Sequence, residues 1–362
     1  MDKAIMWIMS AGALIGGADR IFGNRLGLGK KFEEGFLLMG STALSMAGIL
    51  CLVPLLSRLL GALGAALLRP LGIDPAMLAG VLAIDMGGYQ LAVDLASDPL
   101  IGRFSGIVAA AILGCSATFT IPIGMGMLSA DAKPDFARGT LFGLISMPAA
   151  LIIGGLLCGL RPAVILCQSA PLLLLSLLLL FGIWRHTNAT IRAFSAFAAC
   201  IRILTTIGLM LGAVEYMTGF SILPGLAPLS DAMEVVASIA IVMLGSLPMS
   251  ELLQRALKHP LARLRHATGM NSASAAGLLI GMVSVLPAIA LVKDMDRRGR
   301  IVNAAFMVCT ASCFAAHLGF TAGVDPQMVP ALLAAKLGGG ALGALLALVA
   351  TRHMKDGTSE GA

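Results

Sequence analysis

Charged residues are scarce in this chain. Lysine, arginine, aspartate and glutamate make up 12% of its 362 residues, against about 25% in a typical soluble domain. Hydrophobic residues reach 58%, above the roughly 45 to 50% of soluble proteins, which excludes an ordinary soluble fold. There is no period-two alternation of the kind barrel strands need, so a membrane β-barrel is excluded as well. The first apolar run follows only Met1, Asp2 and Lys3. Without a basic leader and cleavage site it reads as a retained span. The seven cysteines lack CxxC or Cys/His spacing, so no disulfide framework or metal site is expected and they read as small buried packing residues. No HExxH or paired histidine cluster is present, which argues against an enzyme and implies no cofactor. The net charge of +6 sits in short loops beside apolar runs, where it reports topology rather than nucleic-acid binding.

What is present is a series of about eleven apolar segments, centred near residues 12, 46, 84, 114, 149, 173, 208, 244, 282, 312 and 340. Most approach the 20 residues a helix needs to cross a hydrocarbon layer about 30 Å thick. The fold class is therefore an all-α polytopic membrane protein in contact with the lipid bilayer. A shift of 197 positions pairs Gly48 with Gly245, Arg58 with Arg255, Gly72 with Gly269, Gly80 with Gly277, and Gly102 and Arg103 with Gly299 and Arg300. A shift of 196 pairs Gly12, Gly16, Asp19 and Gly23 with Gly208, Gly212, Glu215 and Gly219. The expected organisation is a first repeat unit over 1–160, a connecting span over 161–190, a second unit over 191–352 and a polar tail over 353–362.

Charge selects the topology. If all eleven segments cross, the bases other than Lys336 divide 12 and 12, which assigns no orientation. If segments 3 and 9 are re-entrant hairpins, only Lys3, Arg58, Arg69, Arg103 and Arg161 stay outside, a division of 19 against 5. One hairpin at segment 9 alone scores 18 against 6; the repeat favours two. Nine crossings then remain and the units become inverted repeats, with an external N-terminus, a cytoplasmic C-terminus and a binding site near the midplane. The expected turn points are Gly87 and Gly88 in segment 3, and Ser284 and Pro287 in segment 9, because glycine relaxes the backbone and proline removes a donor.

The stretch LAIDMGGYQLAV, residues 82–93, places Asp85 in an apolar run. A carboxylate there is protonated, solvated in a cavity or paired with an arriving cation; alternatively it caps the second half of the hairpin. Tyr89 is one helical turn on and offers a ring or hydroxyl, while Gly87 and Gly88 let backbone carbonyls approach a ligand. GCSATFTIP (114–122) and CTASCFAAHLGF (309–320) supply Thr118, Thr120, Thr310, Ser312 and His317, although such hydroxyls also bond their own helix carbonyls. His317 reads as a hydrogen-bonded core residue or as a ligand group. Lys336 beside three glycines is expected to snorkel or pair with a carboxylate. Glu33 and Glu34 read as partners of Lys30 and Lys31; Asp94 and Asp98 lie near the end of the first hairpin; Asp19 and Glu215 read as interfacial span ends; Glu234 suits a helix start.

Five stretches together resemble one family: FEEGFLLMG (32–40), DMGGYQLA (85–92), FTIPIGMG (119–126), DMDRRGRIVNAAF (294–306) and HLGF (317–320). In their order and span they are similar to the ethanolamine-utilization inner-membrane transporters, EutH. The resemblance implies a multi-pass protein of the bacterial cytoplasmic membrane that admits ethanolamine, a small organic ammonium, for catabolism. It departs from the family's pattern at Ser284, Val285, Leu286 and Pro287, where an amide-rich hairpin tip is expected, so that half of the site is altered. The expected mechanism is an alternating-access carrier with an elevator-like movement; the competing reading is a passive channel for a small polar or cationic solute. The reading is compatible with a homo-oligomer.

Overall fold

The computed structural model describes residues 2–82 and 88–352, and among these all side chains but those of 2–5, 81, 82, 118, 194, 198 and 257–267. Asp85 and Gly87, and the tail over 353–362, lie outside the described residues. Among them the regular structure is entirely helical. Five helices are long and apolar enough to span a membrane: Leu28–Leu67, Lys133–Leu157, Pro162–Thr218, Leu229–Ala256 and Pro326–Ala350. Among the described residues the apolar segments centred near 282 and 312 are divided into shorter pieces.

In chain order, α1 (Asp2–Ile21) leads into the 40-residue α2 (Leu28–Leu67). The turn between them is closed by Asp19, whose carboxylate accepts from the amides of Leu26, Leu28 and Gly29 at 2.8 to 2.9 Å. Asp19 is thus buried and caps the start of α2 at the end of the first span. Glu33 pairs with Arg20 and Glu34 with Lys31. Then come the short α3 (Ala76–Leu82) and α4 (Gly88–Leu95). α5 (Pro99–Arg103) is capped by the Asp98 side chain on Leu100 N and runs on through wide-turned stretches at Phe104–Gly114 and Ser116–Thr120 into α6 (Ile121–Met127).

α7 (Lys133–Leu157) is followed by α8 (Pro162–Thr218), which bends sharply at His186 (φ −140°, ψ 53°). A Cβ on Gly182 would lie 2.5 Å from Thr190 Oγ1, eight residues on; along a straight helix that rise is about 12 Å. Segments 6 and 7 are therefore two helices joined by a kink. The second half continues with α9 (Leu229–Thr268), α10 (Ser272–Val283) and α11 (Val285–Ala290). α12 (Arg297–Thr310), α13 (Ala316–Val324) and α14 (Val329–Ala350) complete it.

Similar contacts recur at the repeat offset. Asp74 accepts from the amides of Ala76 and Ser97 (both 2.9 Å) and Asp98 (3.3 Å), tying the start of α3 to the end of α4. Asn271, 197 residues on, donates its amide to Asp296 (2.8 Å) and its side chain to Asp294 O (2.9 Å), tying the start of α10 to the stretch after α11. Ser105 Oγ donates to Ala76 O (2.7 Å); 198 residues on, Asn303 Nδ2 donates to Ser274 O (2.9 Å). Gly72 and Gly269 both hold φ 72°, a left-handed conformation suited to glycine, at the entrances to these paired short helices. Cys51, Cys115, Cys309 and Cys313 are buried as expected, whereas Cys167 and Cys200 are exposed on the protein surface.

Candidate functional site

The chain turns at Ser284, whose extended backbone (φ −148°, ψ 130°) separates α10 from α11. A Cβ on Gly281 would lie 3.6 Å from that of Ala288, so the two short helices fold back side by side. Pro287 stands in the first turn of α11, where no intrahelical donor is required. The turn therefore falls three residues before the proline.

Against this tip lies the interruption between α12 and α13. Residues 311–315 leave the helix, with Ser312 in a left-handed conformation (φ 55°). Unwound backbone inside an apolar body must find partners. Ser312 N donates to Gly281 O (3.1 Å) and Phe314 N to Met282 O (2.9 Å), so the tip of α10 supplies two of them. His317 Nδ1 lies 3.0 Å from Ala311 O, and its backbone amide donates to Ser312 O at 3.2 Å. The buried imidazole thus pins the interruption from the α13 side. Ser250 Oγ donates to Phe314 O from α9. Ser284, Ser312 and His317, separate in sequence, are gathered here.

Other sequence-selected residues fall differently. Thr310 is buried and donates to Phe306 O of its own helix at 2.8 Å, with its methyl against Gly340. Its hydroxyl is therefore committed to the backbone, as i−4 bonding allows. Thr120 is buried beside Cys115 Sγ (3.9 Å); the Thr118 side chain lies outside the described set. Gly88 opens α4, and a Cβ there would sit 3.4 Å from Ala79 O. Tyr89 meets Phe320 edge to face with centroids 6.1 Å apart, one turn along α13 from His317, and its hydroxyl reaches Asp325 Oδ2 at 3.5 Å. The ring borders the interruption, but the hydroxyl is directed away toward an ion pair.

That ion pair was invisible in the linear reading. Arg103 holds Asp325 through Nε (2.5 Å) and Nη2 (2.7 Å), and Nη2 also reaches Gln327 Oε1 at 3.0 Å. Its counterpart at the repeat offset is Arg300, whose Nη1 bonds Asp131 at 3.0 Å, beside Arg297 and Asp135 at 3.0 Å. The Ser129 hydroxyl, and then Arg300, hold the Asp131 carboxyl below the usual carboxylate range. The available signal was the matched Gly-Arg dipeptide, which identified the arginines but not their partners.

Lys336 overturns its expectation. It is fully buried in α14 and donates to Ala111 O at 2.8 Å, with no carboxylate partner among the described residues. It does not snorkel, and it forms no ion pair among the described residues: the glycines around it bring α14 too close to its neighbours for the side chain to reach an interface. Lys336→Met, which keeps the stem volume and removes an ammonium without a counter-charge among the described residues, is expected to leave stability within about 1 kcal/mol, whereas Lys336→Ala opens a cavity costing about 2 to 4 kcal/mol. Thermal unfolding of the three proteins in detergent checks the order.

The arrangement can replace the hydration shell of a small polar cation. Backbone carbonyls at an interruption, a hydroxyl at each side of it and an imidazole are acceptors held in place by bonds to neighbouring elements. Comparison with known proteins agrees with a membrane transporter. A family model described as "Ethanolamine utilisation protein, EutH" matches residues 1–350. The chain is 37% identical over 357 residues to a Listeria monocytogenes protein named probable ethanolamine permease EutH, covering 98% of this chain and 96% of that one. It is 37% identical over 348 residues to YxeR of Bacillus subtilis, covering 96% and 94%. Against a Salmonella typhimurium protein, also named probable ethanolamine permease EutH, identity is 33% over 390 residues, with 96% of each covered. No solved structure matches. With a family model spanning nearly its whole length and relatives above 30% identity aligned almost end to end, the chain belongs to the EutH family of ethanolamine utilisation proteins.

Proposed function

We propose that the chain is a permease that carries ethanolamine across the bacterial cytoplasmic membrane, by alternating access to a site between the hairpin tips and the interrupted α12–α13. It is a multi-pass transporter rather than an enzyme. The observation that carries the site is the interruption at 311–315, bonded to the tip of α10 and to His317. Helix breaks at membrane depth persist only where protein or a cavity covers them, and there they offer carbonyl oxygens to a cation. The ammonium of ethanolamine takes these acceptors, and Asp85, at the tip of the first hairpin, is its anionic partner. Ser284 and Ser312 bond the substrate hydroxyl, while the Tyr89 ring closes over the ammonium.

The topology behind this reading has two inverted units, nine crossings and re-entrant hairpins at α3/α4 and α10/α11. Three side-chain ties support it. Asn271 with Asp296, Arg103 with Asp325, and Arg297 with Asp135 would each join opposite faces if all eleven segments crossed. With two hairpins, every one of them joins loops on the same face.

Uptake of labelled ethanolamine into proteoliposomes, with and without imposed proton or sodium gradients, tests the function. Saturable uptake is expected, reduced about tenfold or more in Asp85→Asn and in His317→Ala, the loss that follows from removing one charged or well-ordered hydrogen bond. Wild-type uptake in both variants removes this site. An unsaturable, gradient-independent flux makes the protein a channel.

A further inference from the structure

We propose that the permease moves as two bodies, and that Arg103 with Asp325 and Arg300 with Asp131 are clamps holding the carrier body together rather than gates that open. The inference deepens the transport reading and rests on it.

The division follows from packing. α1, α2, the part of α8 beyond His186, and α9 meet one another through glycines. A Cβ on Gly245 would strike Met9 O and one on Gly12 would strike Gly245 O. At the repeat offsets, a Cβ on Gly48 would strike Thr205 O and one on Gly208 would strike Gly48 O. These are the same crossing made twice, each between the first helix of one unit and the second helix of the other. No side chain intervenes, so backbones approach closely and the four helices form one rigid frame.

Most of the remaining helices share a second, larger core. Phe104, Ile112, Leu144, Ile165, Val308 and Leu332 belong to a single buried cluster drawn from both units. It contains segments 3 to 6 and 9 to 11, including the wide-turned helix after α5 and the interrupted α12–α13. The frame meets this body across an apolar surface where Met46, Val53, Val236 and Met243 face Leu91, Leu95 and Phe320. The connections between the bodies pass the left-handed Gly72 and Gly269 and the kink at His186. Each repeat unit thus gives its first two helices to the frame and the rest to the carrier.

Within the carrier the wide-turned helix that runs from α5 to α6 and the interrupted α12–α13 run antiparallel and are pinned together. Ser116 Oγ donates to Val308 O where they cross. Arg103, at the start of the first, grips Asp325 beyond the end of the second; Arg300, at the start of the second, grips Asp131 beyond the end of the first. An ionic bond at each end and a hydrogen bond between them prevent the helices from splaying. Both partners of each clamp lie in the same body, so movement of the carrier past the frame leaves the clamps intact, whereas the bond from Ser250 of α9 to Phe314 O joins frame to carrier and must break. In a rocking carrier the same pairs would be the two gates, broken in turn.

Covalent replacement separates these alternatives. Cys167 and Cys200, the exposed cysteines, are first changed to alanine. Arg103→Cys with Asp325→Cys is expected to slow ethanolamine uptake several-fold, and a bifunctional thiol reagent is expected to restore it to within about twofold of the parent, because a covalent clamp replaces the ionic one. Gly61→Cys with Leu95→Cys joins frame to carrier, since a Cβ on Gly61 would lie 3.5 Å from Leu95 Cδ2. Crosslinking there is expected to stop uptake by about tenfold or more, reversed by cleaving the linker. Arg300→Cys with Asp131→Cys repeats the first arm at a more exposed pair and serves if the other variant does not fold. Loss of uptake on crosslinking a clamp, or unchanged uptake on crosslinking Gly61→Cys to Leu95→Cys, overturns the proposal. If the parent takes up no ethanolamine, the transport reading fails separately. The movement is then read by labelling of Ser312→Cys with an impermeant thiol reagent from each side: one-sided when frame and carrier are joined, two-sided when only a clamp is.

Discussion

Asp74→Ala is expected to destabilise the protein by about 3 to 5 kcal/mol, the largest effect of any single polar substitution outside the substrate site. Its carboxylate is nearly buried and accepts three backbone amides, two of them on the far side of the first hairpin. Hydrogen bonds to a charged acceptor contribute about 1.5 to 3 kcal/mol each, and removing the acceptor leaves all three donors without it. The backbone amide of Asp74 also donates to Gln168, whose side chain reaches back to Gly72 O, so the base of the hairpin is joined to α8 as well. Asn271→Ala, the same position in the second unit, is expected to cost only about 1 to 2 kcal/mol, close to the loss of one helix cap. There the work is shared: Asp296 separately holds the Asn271 amide and the Ser274 hydroxyl. Thermal unfolding in detergent measures both, and equal losses would show that the two hairpin bases are not built differently.

Gly208→Leu is expected to prevent assembly of the frame, with a cost above about 3 kcal/mol and loss of monodisperse protein in detergent. Overpacking a core usually costs about 1 to 3 kcal/mol because side chains can shift. Here the obstacle is the Gly48 carbonyl, and the reciprocal contact from Gly48 is with the backbone of Thr205, so helices rather than rotamers must move. Gly12→Leu, the repeat-related position against Gly245, is expected to behave alike. Gly40→Leu on α2 is the control: nothing lies within 4 Å of a Cβ there, and wild-type yield is expected. Size-exclusion profiles of the three variants decide the matter, and a monodisperse Gly208→Leu protein would rule out the close crossing.

The apolar runs made the membrane class legible, because a hydrocarbon surround demands long stretches with few charges and leaves that demand visible in composition. The repeat was legible through glycines and arginines for a related reason. Glycines at helix crossings and arginines after hairpins each perform a task that few other residues can, so they keep their spacing while apolar neighbours exchange freely. Asp74 and Asn271 did not stand out, since one is a carboxylate and the other an amide. Only their bonds show that both tie a hairpin base. Thr310 looked like a site residue by its place in a polar stretch, yet its hydroxyl is spent on its own helix, a choice made by local rotamer and backbone geometry. Lys336 looked like a snorkelling base because sequence does not say which face of α14 is covered.

By itself the sequence determined the class of protein and the family, both of which depend on composition and on spacing along one chain. The tertiary structure alone decided which residues meet. It set Asp325 on Arg103, placed Ser312 and His317 against the tip at Ser284, and buried Lys336 beneath Ala111. Those pairings join elements up to more than two hundred residues apart, and they arise from helix crossings whose angle and register are set by the packing of whole surfaces, not by any local pattern.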